Sequence, residues 1–397
     1  MNALQVHRSF KNLKALDQMT CERGRQTRVK QRNNHGLTRR IGLAGLLGLS
    51  GLVLTGCNVA PPDNGFFHAL RMGWPTGVTP ESKEMGNLWV WVWVTAWIVG
   101  IIMWGLLFLN MGRNSAKRQA KKGNTEEFPR QTGYNVPLEL VLTTLPVLII
   151  MGLFFFNVQA QDSATALDKD PKVRVDVTGF QWNWKFGYGM ISSDVLGQNY
   201  DGTDQAAQKQ AEDSKYPKEG VDSHGREIVG PVHGRTEDDY SYLNFDKIET
   251  VGTTEEIPVL VLPTNTAIEF NLASADVVHS FWIPEFLFKR DVFPHPDQNK
   301  SERRFQIEQI NQEGAFVGRC AEMCGTYHSM MNFELRAVSP EKFKEYIQFR
   351  EANPQAPNSD ALKKIGEAPY AVTTHPFKTD RTGTRSFNDN YKDPNAA

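Results

Sequence analysis

Two stretches of this 397-residue chain hold almost nothing but apolar side chains, and they leave it few ways to fold. Leu88 to Leu109 runs 22 residues without a charge, and Val136 to Val158 carries a single carboxylate, Glu139, near its start. At about 1.5 Å per residue each covers the roughly 30 Å hydrocarbon core of a bilayer, where a lone segment satisfies its own backbone only as a helix. Residues 88–109 and 136–158 are therefore expected to be transmembrane helices. Pro146 in the second is tolerable because neighbouring helices satisfy the carbonyl it frees. Trp89, Trp91, Trp93 and Trp97 crowd the first half of the first span, as an interfacial belt at that end would.

Orientation follows from the loop 110–135. It holds Arg113, Lys117, Arg118, Lys121, Lys122 and Arg130 against Glu126 and Glu127, so the positive-inside rule places it in the cytoplasm. The segment 57–87 and everything after 158 then lie outside. Ahead of them, "IGLAGLLGLSGLVLTG" at 41–56 follows Arg39 and Arg40 and is too short and glycine-rich for a span, so 1–56 reads as a signal peptide. It ends in Leu54-Thr55-Gly56-Cys57, which resembles the lipobox of bacterial lipoproteins and implies cleavage before a lipidated Cys57. A lipid there demands the same outer side. The alternative is an ordinary signal anchor with an incidental cysteine. The basic leader is long for a signal peptide, so translation is expected to start further on, at Val29.

From residue 159 to 340 the pattern turns to short β-rich runs, 172–186, 257–263, 266–274, 303–310, 315–320 and 332–338, punctuated by Gly, Pro and Asn. Branched and aromatic residues in this arrangement predict an all-β domain, an antiparallel sandwich or small barrel. Residues 191–256 interrupt it with 15 acidic against 6 basic side chains, a net of −9. So long a polar segment reads either as a separate, partner-binding excursion or as a solvated insertion. After Val338, Ser339 as N-cap and Pro340 at the first helical position start a short helix, and the rest of 341–397 reads as an extended polar tail. The formal charge of the whole chain, −1, gives no push toward nucleic acid, and none is expected as a partner.

The run "VGRCAEMCGTYHSMMNF" at 317–333 concentrates the soft ligands. Outside the cytoplasm Cys320 and Cys324 could form a disulfide, bind structural zinc with His328, or bind copper. Cys320, Cys324, His328 and Met331 follow a C-x3-C-x3-H-x2-M spacing that a loop between two strands can turn inward around one point. A disulfide needs neither histidine nor methionine, and zinc has little use for a thioether, whereas copper sites take thiolate, imidazole and thioether together. Two thiolates can bridge two copper ions, which calls for a second histidine on another strand. His279 in "SADVVHSFWIPEF" supplies one, although a lone histidine there is more often a satisfied loop residue.

With C-x-E-x-C-G-x-x-H-x-x-M and an upstream D-x-x-H-S in place, the chain resembles subunit II of cytochrome c oxidase over about residues 85–340, less the acidic insertion. That resemblance implies a two-helix transmembrane hairpin followed by an all-β cupredoxin-like sandwich with a dinuclear copper centre, CuA. Cys320 and Cys324 would bridge the coppers, His279 and His328 would each cap one, Met331 rather than Met330 would be the weak thioether ligand, and the Glu322 carbonyl would complete the set. The Glu322 carboxylate would reach a magnesium ion shared with subunit I. Trp182 in "GFQWNW" would receive electrons from cytochrome c, with Trp184 the better candidate for simple sandwich burial, and Glu139 would lie at the mouth of a proton channel of subunit I. A carboxylate just inside a span is costly enough to suggest function, the plain reading being a side chain that snorkels to the cytoplasmic surface.

The insertion and the lipobox look similar to actinobacterial oxidases. They imply a plasma-membrane subunit that accepts electrons from a c-type cytochrome held in a bc complex and passes them to haem in subunit I, among further oxidase subunits, within a supercomplex. A quinol-oxidase form of the subunit keeps the fold but lacks these copper ligands. An extracytoplasmic copper carrier or a zinc-stabilised scaffold leaves the two spans and Glu139 without a purpose.

Overall fold

The computed structural model describes residues 60–123, 133–213 and 239–376. The segment read as a signal peptide with its lipobox and Cys57 lies outside the described residues, as do parts of the loop 110–135, of the acidic insertion and of the tail.

Two helices are long and apolar enough to cross a membrane, α1 (Pro80–Arg113) and α2 (Val136–Thr165). Each outruns its predicted span on the side that faces the β domain, and the reason is local chemistry. Thr79 and Ser82 cap each other's backbone N–H groups at 3.1 and 2.9 Å and Pro80 presets the first turn, so helix begins well before the apolar run. At the other helix Lys169 donates to the Ser163 and Ala166 carbonyls at 2.9 and 3.2 Å, which satisfies the last turn. Lys169 Nζ also lies 3.7 Å from the carboxylate of buried Glu81 in the first turn of α1, and that carboxylate accepts from Glu308 N at 2.8 Å. Val78 N–H donates to Glu285 O and Asn311 N–H to Val78 O, so the start of α1 is seated in the β domain by backbone as well as charge. The tryptophan belt sits at this end: Trp89 stacks on Trp74 at 4.3 Å and donates to Arg71 O.

The β domain is a sandwich. One sheet runs β3 (Tyr200–Asp201), β2 (Asn183–Ile191), β1 (Val173–Phe180), β6 (Ile268–Ser274), β9 (Arg304–Ile307), with β4 (Glu249–Val251) also on β2. The other runs β5 (Val259–Pro263), β11 (Asn332–Val338), β10 (Gly314–Cys320), β7 (His279–Ile283), β8 (Phe288–Val292). The sheets are mixed, not purely antiparallel as expected, because β1 lies parallel to β6 and β5 parallel to β11. The run 172–186 is a hairpin that turns at Gln181 and Trp182. Between the sheets, Phe270 stacks on Phe305 at 4.6 Å and Phe281 on Phe333 at 4.8 Å, with Trp184 edge-on to both members of the second pair. Fully burying each ring contributes about 1.5–3 kcal/mol.

Two sequence expectations need correction. The ends of the 191–256 insertion are no separate excursion: β3 and β4 extend the first sheet, Lys185 donates to Asn244 O and pairs with Glu249 at 2.6 Å, and Gln208 reaches Leu243 O at 3.2 Å. The tail is not extended through its described part either. After α3 (Pro340–Ala352), capped by Ser339 as predicted, a second helix α4 (Asn358–Lys364) buries Ala361 and Leu362. Buried Glu334 then holds Val372 N and Thr373 N at 2.6 and 2.8 Å. Burial of Phe343, Tyr346 and Ile347 against Tyr188 explains why this C-terminal segment stays with the sheet.

Candidate metal centre

Cys320 ends β10 and Asn332 begins β11, so Cys324, His328 and Met331 share one strand-to-strand connection. Cys320 N–H donates to Met331 O at 3.0 Å and closes the loop at its neck, and Ala321 N–H ties it to Ser280 O of β7 at 3.0 Å. His279, the first residue of β7, comes in from the neighbouring strand and is fully buried. Two glycines let these parts approach. A Cβ on Gly179 would stand 2.9 Å from the His279 ring, and Gly325 combines φ +117° with a Trp182 indole 3.2 Å from where its Cβ would be.

The ligand atoms of His279, Cys320 and Cys324 all lie within 4.8 Å of one another. Both cysteines are free, and their sulfurs are 3.8 Å apart. Cys320 Sγ is 3.8 Å from His279 Nδ1 and 3.2 Å from Glu322 O, while Cys324 Sγ is 3.5 Å from His328 Nδ1 and 3.9 Å from Met331 Sδ. Ligands sharing one tetrahedral metal at bond lengths of about 2.0–2.3 Å stand roughly 3.5–3.8 Å apart. The observed spacings therefore fit metal-bridged thiolates, and the thioether and carbonyl favour copper over zinc. Met331 is buried and Met330 only partly so.

The electrostatics agree. Cys320 is held down to about 3, first by the hydrogen bond that Cys324 donates to it, and the same pairing pushes Cys324 up. One proton is shed readily, and the second leaves only if a cation takes its place. Asp276 accepts from His279 Nε2 at 2.8 Å, Val277 N at 2.7 Å and Gln181 N at 2.6 Å. Burial raises the pKa of Asp276, but these hydrogen bonds outweigh it and the net direction is down. Burial likewise lowers that of His279, and its bonds to Asp276 and Cys320 outweigh it, so His279 is raised. An N–H fixed on Nε2 leaves Nδ1 as the ligand atom.

Trp182 sits beside the loop, half-buried, with Nε1 donating to Cys324 O at 3.0 Å and its ring edge-on to Tyr327 at 5.0 Å. Gln181 Nε2 donates to the same carbonyl at 2.8 Å. Fully buried Trp184 reaches Met331 O at 3.4 Å. Glu139 is not brought to this site: it lies in the first turn of α2, its carboxylate accepting from Asn135 N at 3.1 Å. Sequence reasoning left Asp276, Gln181 and Tyr327 without roles. The signal for Asp276 was its place three residues before His279, and for the other two adjacency to Trp182 and His328.

The family profile "Cytochrome C oxidase subunit II, periplasmic domain" matches residues 241–338, which contain the whole ligand set. A cytochrome c oxidase subunit 2 of Corynebacterium diphtheriae is 60% identical over 355 residues, 89% of this chain and 96% of that one. The Corynebacterium glutamicum protein of the same name is 59% identical, covering 90% and 98%. That of Mycobacterium bovis is 51% identical, covering 86% and 90%.

Proposed function

Because this chain belongs to the cytochrome c oxidase subunit 2 family, we propose that its buried cysteine–histidine–methionine cluster holds dinuclear copper, CuA, and takes electrons from a c-type cytochrome for delivery to haem in subunit I. Oxygen reduction belongs to subunit I of that complex, and this chain is its membrane-anchored partner. The observation that carries the copper reading is the convergence of two free thiols, two imidazoles and a thioether at spacings of 3.5 to 3.9 Å.

Cys320, Cys324, His279, His328, Met331 and the Glu322 carbonyl would hold the copper pair, which would supply a one-electron acceptor whose charge is spread over two metals. The chain does the rest. Asp276 orients His279, the neck bond between Cys320 and Met331 fixes the loop, and the aromatic core excludes water. Little therefore has to move when charge arrives. Trp182 joins the surface to a ligand residue through one hydrogen bond, which supports its role as the point of electron arrival.

Finer readings rest on narrower support. A lipidated Cys57 rests on the lipobox, and a magnesium ion at Glu322 on that residue's place between the two cysteines. A role for Glu139 in feeding a proton channel rests on a carboxylate in the first turn of a membrane-spanning helix. The acidic segment suits a donor held in a bc complex, gripped instead of met by diffusion, which would build a supercomplex. Because both limbs of that segment belong to the sheet, its test is removal of 214–238 alone, and unchanged co-purification with the donor would dismiss the idea.

The copper reading is tested on the purified oxidase by metal count and electron paramagnetic resonance. Two coppers on this chain sharing one unpaired electron, lost in Cys320→Ser and Cys324→Ser, is the expected result. A single-copper spectrum, or zinc alone, would refute it.

A further inference from the structure

The return limb of the acidic insertion touches the β6–β7 turn, which leads into His279. Tyr242 Oη donates to Ser274 O at 2.8 Å, and Ser274, the last residue of β6, is fully buried. From Ser274 the connections run straight to a ligand. Its hydroxyl accepts from Asp276 N at 3.1 Å and donates to Val277 O, and Asp276 holds His279 Nε2 at 2.8 Å. Tyr242 is itself fixed at two further points: its ring lies on that of buried His295 at 4.0 Å, and its carbonyl accepts from both terminal nitrogens of Arg303 at 3.4 Å.

We propose that Tyr242 is a positioning residue for the copper centre, anchoring the Ser274–Val277 turn so that Asp276 presents His279 at one angle. Three anchors on one tyrosine are more than a surface limb needs to lie down. The turn it secures is otherwise held at its start by Ser274 N on Phe293 O and Ala275 N on Gly179 O. Without the hydroxyl, the Ser274 carbonyl loses its side-chain donor and the turn gains freedom at the residue that Asp276 leans on. The return limb that carries Tyr242 is thereby built into the centre's alignment. This rests on the copper reading above.

The test uses the intact oxidase with Tyr242→Phe, which keeps the ring on His295, and Lys247→Ala as control, which removes another tie of the same limb, Lys247 Nζ to Asp201 O at 2.8 Å. Copper loss to a chelator and the hyperfine pattern are read for both. Tyr242→Phe is expected to speed copper loss roughly 10-fold, the low end of what losing a ligand's own hydrogen-bond partner costs, and to alter the pattern, with Lys247→Ala unchanged. Wild-type retention and spectrum in Tyr242→Phe would overturn the proposal and leave the copper reading standing, and equal loss in both variants would overturn it in favour of a merely structural limb. A wild-type protein without paired copper would remove both.

Discussion

Asp276→Ala is the sharpest probe of the centre. The carboxylate accepts from His279, Val277 and Gln181, and at 3.4 Å from Ser274 Oγ, and its removal leaves the donors of His279 and Val277 without partners, whereas exposed Gln181 can turn to water and Ser274 Oγ keeps Val277 O. At about 1–3 kcal/mol for each orphaned donor, the metal-free protein should lose about 2–6 kcal/mol. Copper affinity should fall roughly 10- to 100-fold, because the N–H of Nε2 no longer fixes which His279 nitrogen faces the metal. The pH dependence has a definite sign. In the wild type the raised pKa of His279 means that copper must displace a proton below that value, so affinity drops as pH falls through it. Without Asp276, its hydrogen bond and its charge no longer hold the pKa of His279 up, so that pKa falls and the acid limb of copper binding moves to lower pH. Chelator competition across pH, with paramagnetic resonance at each point, measures both effects. Wild-type affinity with an unmoved acid limb would refute the claim that Asp276 sets the ligand's tautomer.

Other perturbations separate the remaining parts. Trp182→Phe keeps a ring beside Tyr327 but loses the N–H to Cys324 O, so stopped-flow reduction by a c-type cytochrome should slow while copper content stays at the wild-type level; unchanged rates would count against Trp182 as the arrival point. Asp246, buried over Gly187 beside Asp176 and Glu249, is raised to about 8, first by burial, so its folded form binds the proton more tightly than the unfolded chain does. Wild-type stability should therefore decline as pH rises from about 4 to 8, and thermal melts of Asp246→Asn should show a gain at pH 9 that vanishes near pH 4. Lys169→Met strands the buried Glu81 carboxylate, and thermal melting should report a loss of about 3–5 kcal/mol.

How much of this could be read from the residues varied with the range of the interaction. Cys320, Cys324, His328 and Met331 crowd one loop, so their spacing alone proclaimed a soft-metal site, and His279 followed from the need for another nitrogen. Asp276 stood in the same motif yet had no legible role, since its bonds to Gln181 and His279 join a β hairpin turn to another strand. The β1–β2 turn was invisible because Gln181-Trp182 carries neither glycine nor proline between two branched, aromatic runs. Parallel pairing of β1 with β6 and β5 with β11 depends on partners 75 residues or more away, which no local period encodes. The helix 358–364 was missed because Pro354, Pro357 and neighbouring asparagines look like tail, and only burial beside α3 and β5 makes them structure.

The seat of Glu81 and Lys169 fixes more than stability. Helix runs unbroken from the bilayer into the β domain at both α1 and α2, so the copper loop has a height and a heading counted in residues. One residue inserted between Ser82 and Leu88 would lift the domain by about 1.5 Å and swing it by about 100° around α1. Loop insertions leave that height and heading alone, but these two short collars work as a gauge block between the lipid surface and the electron's next stop.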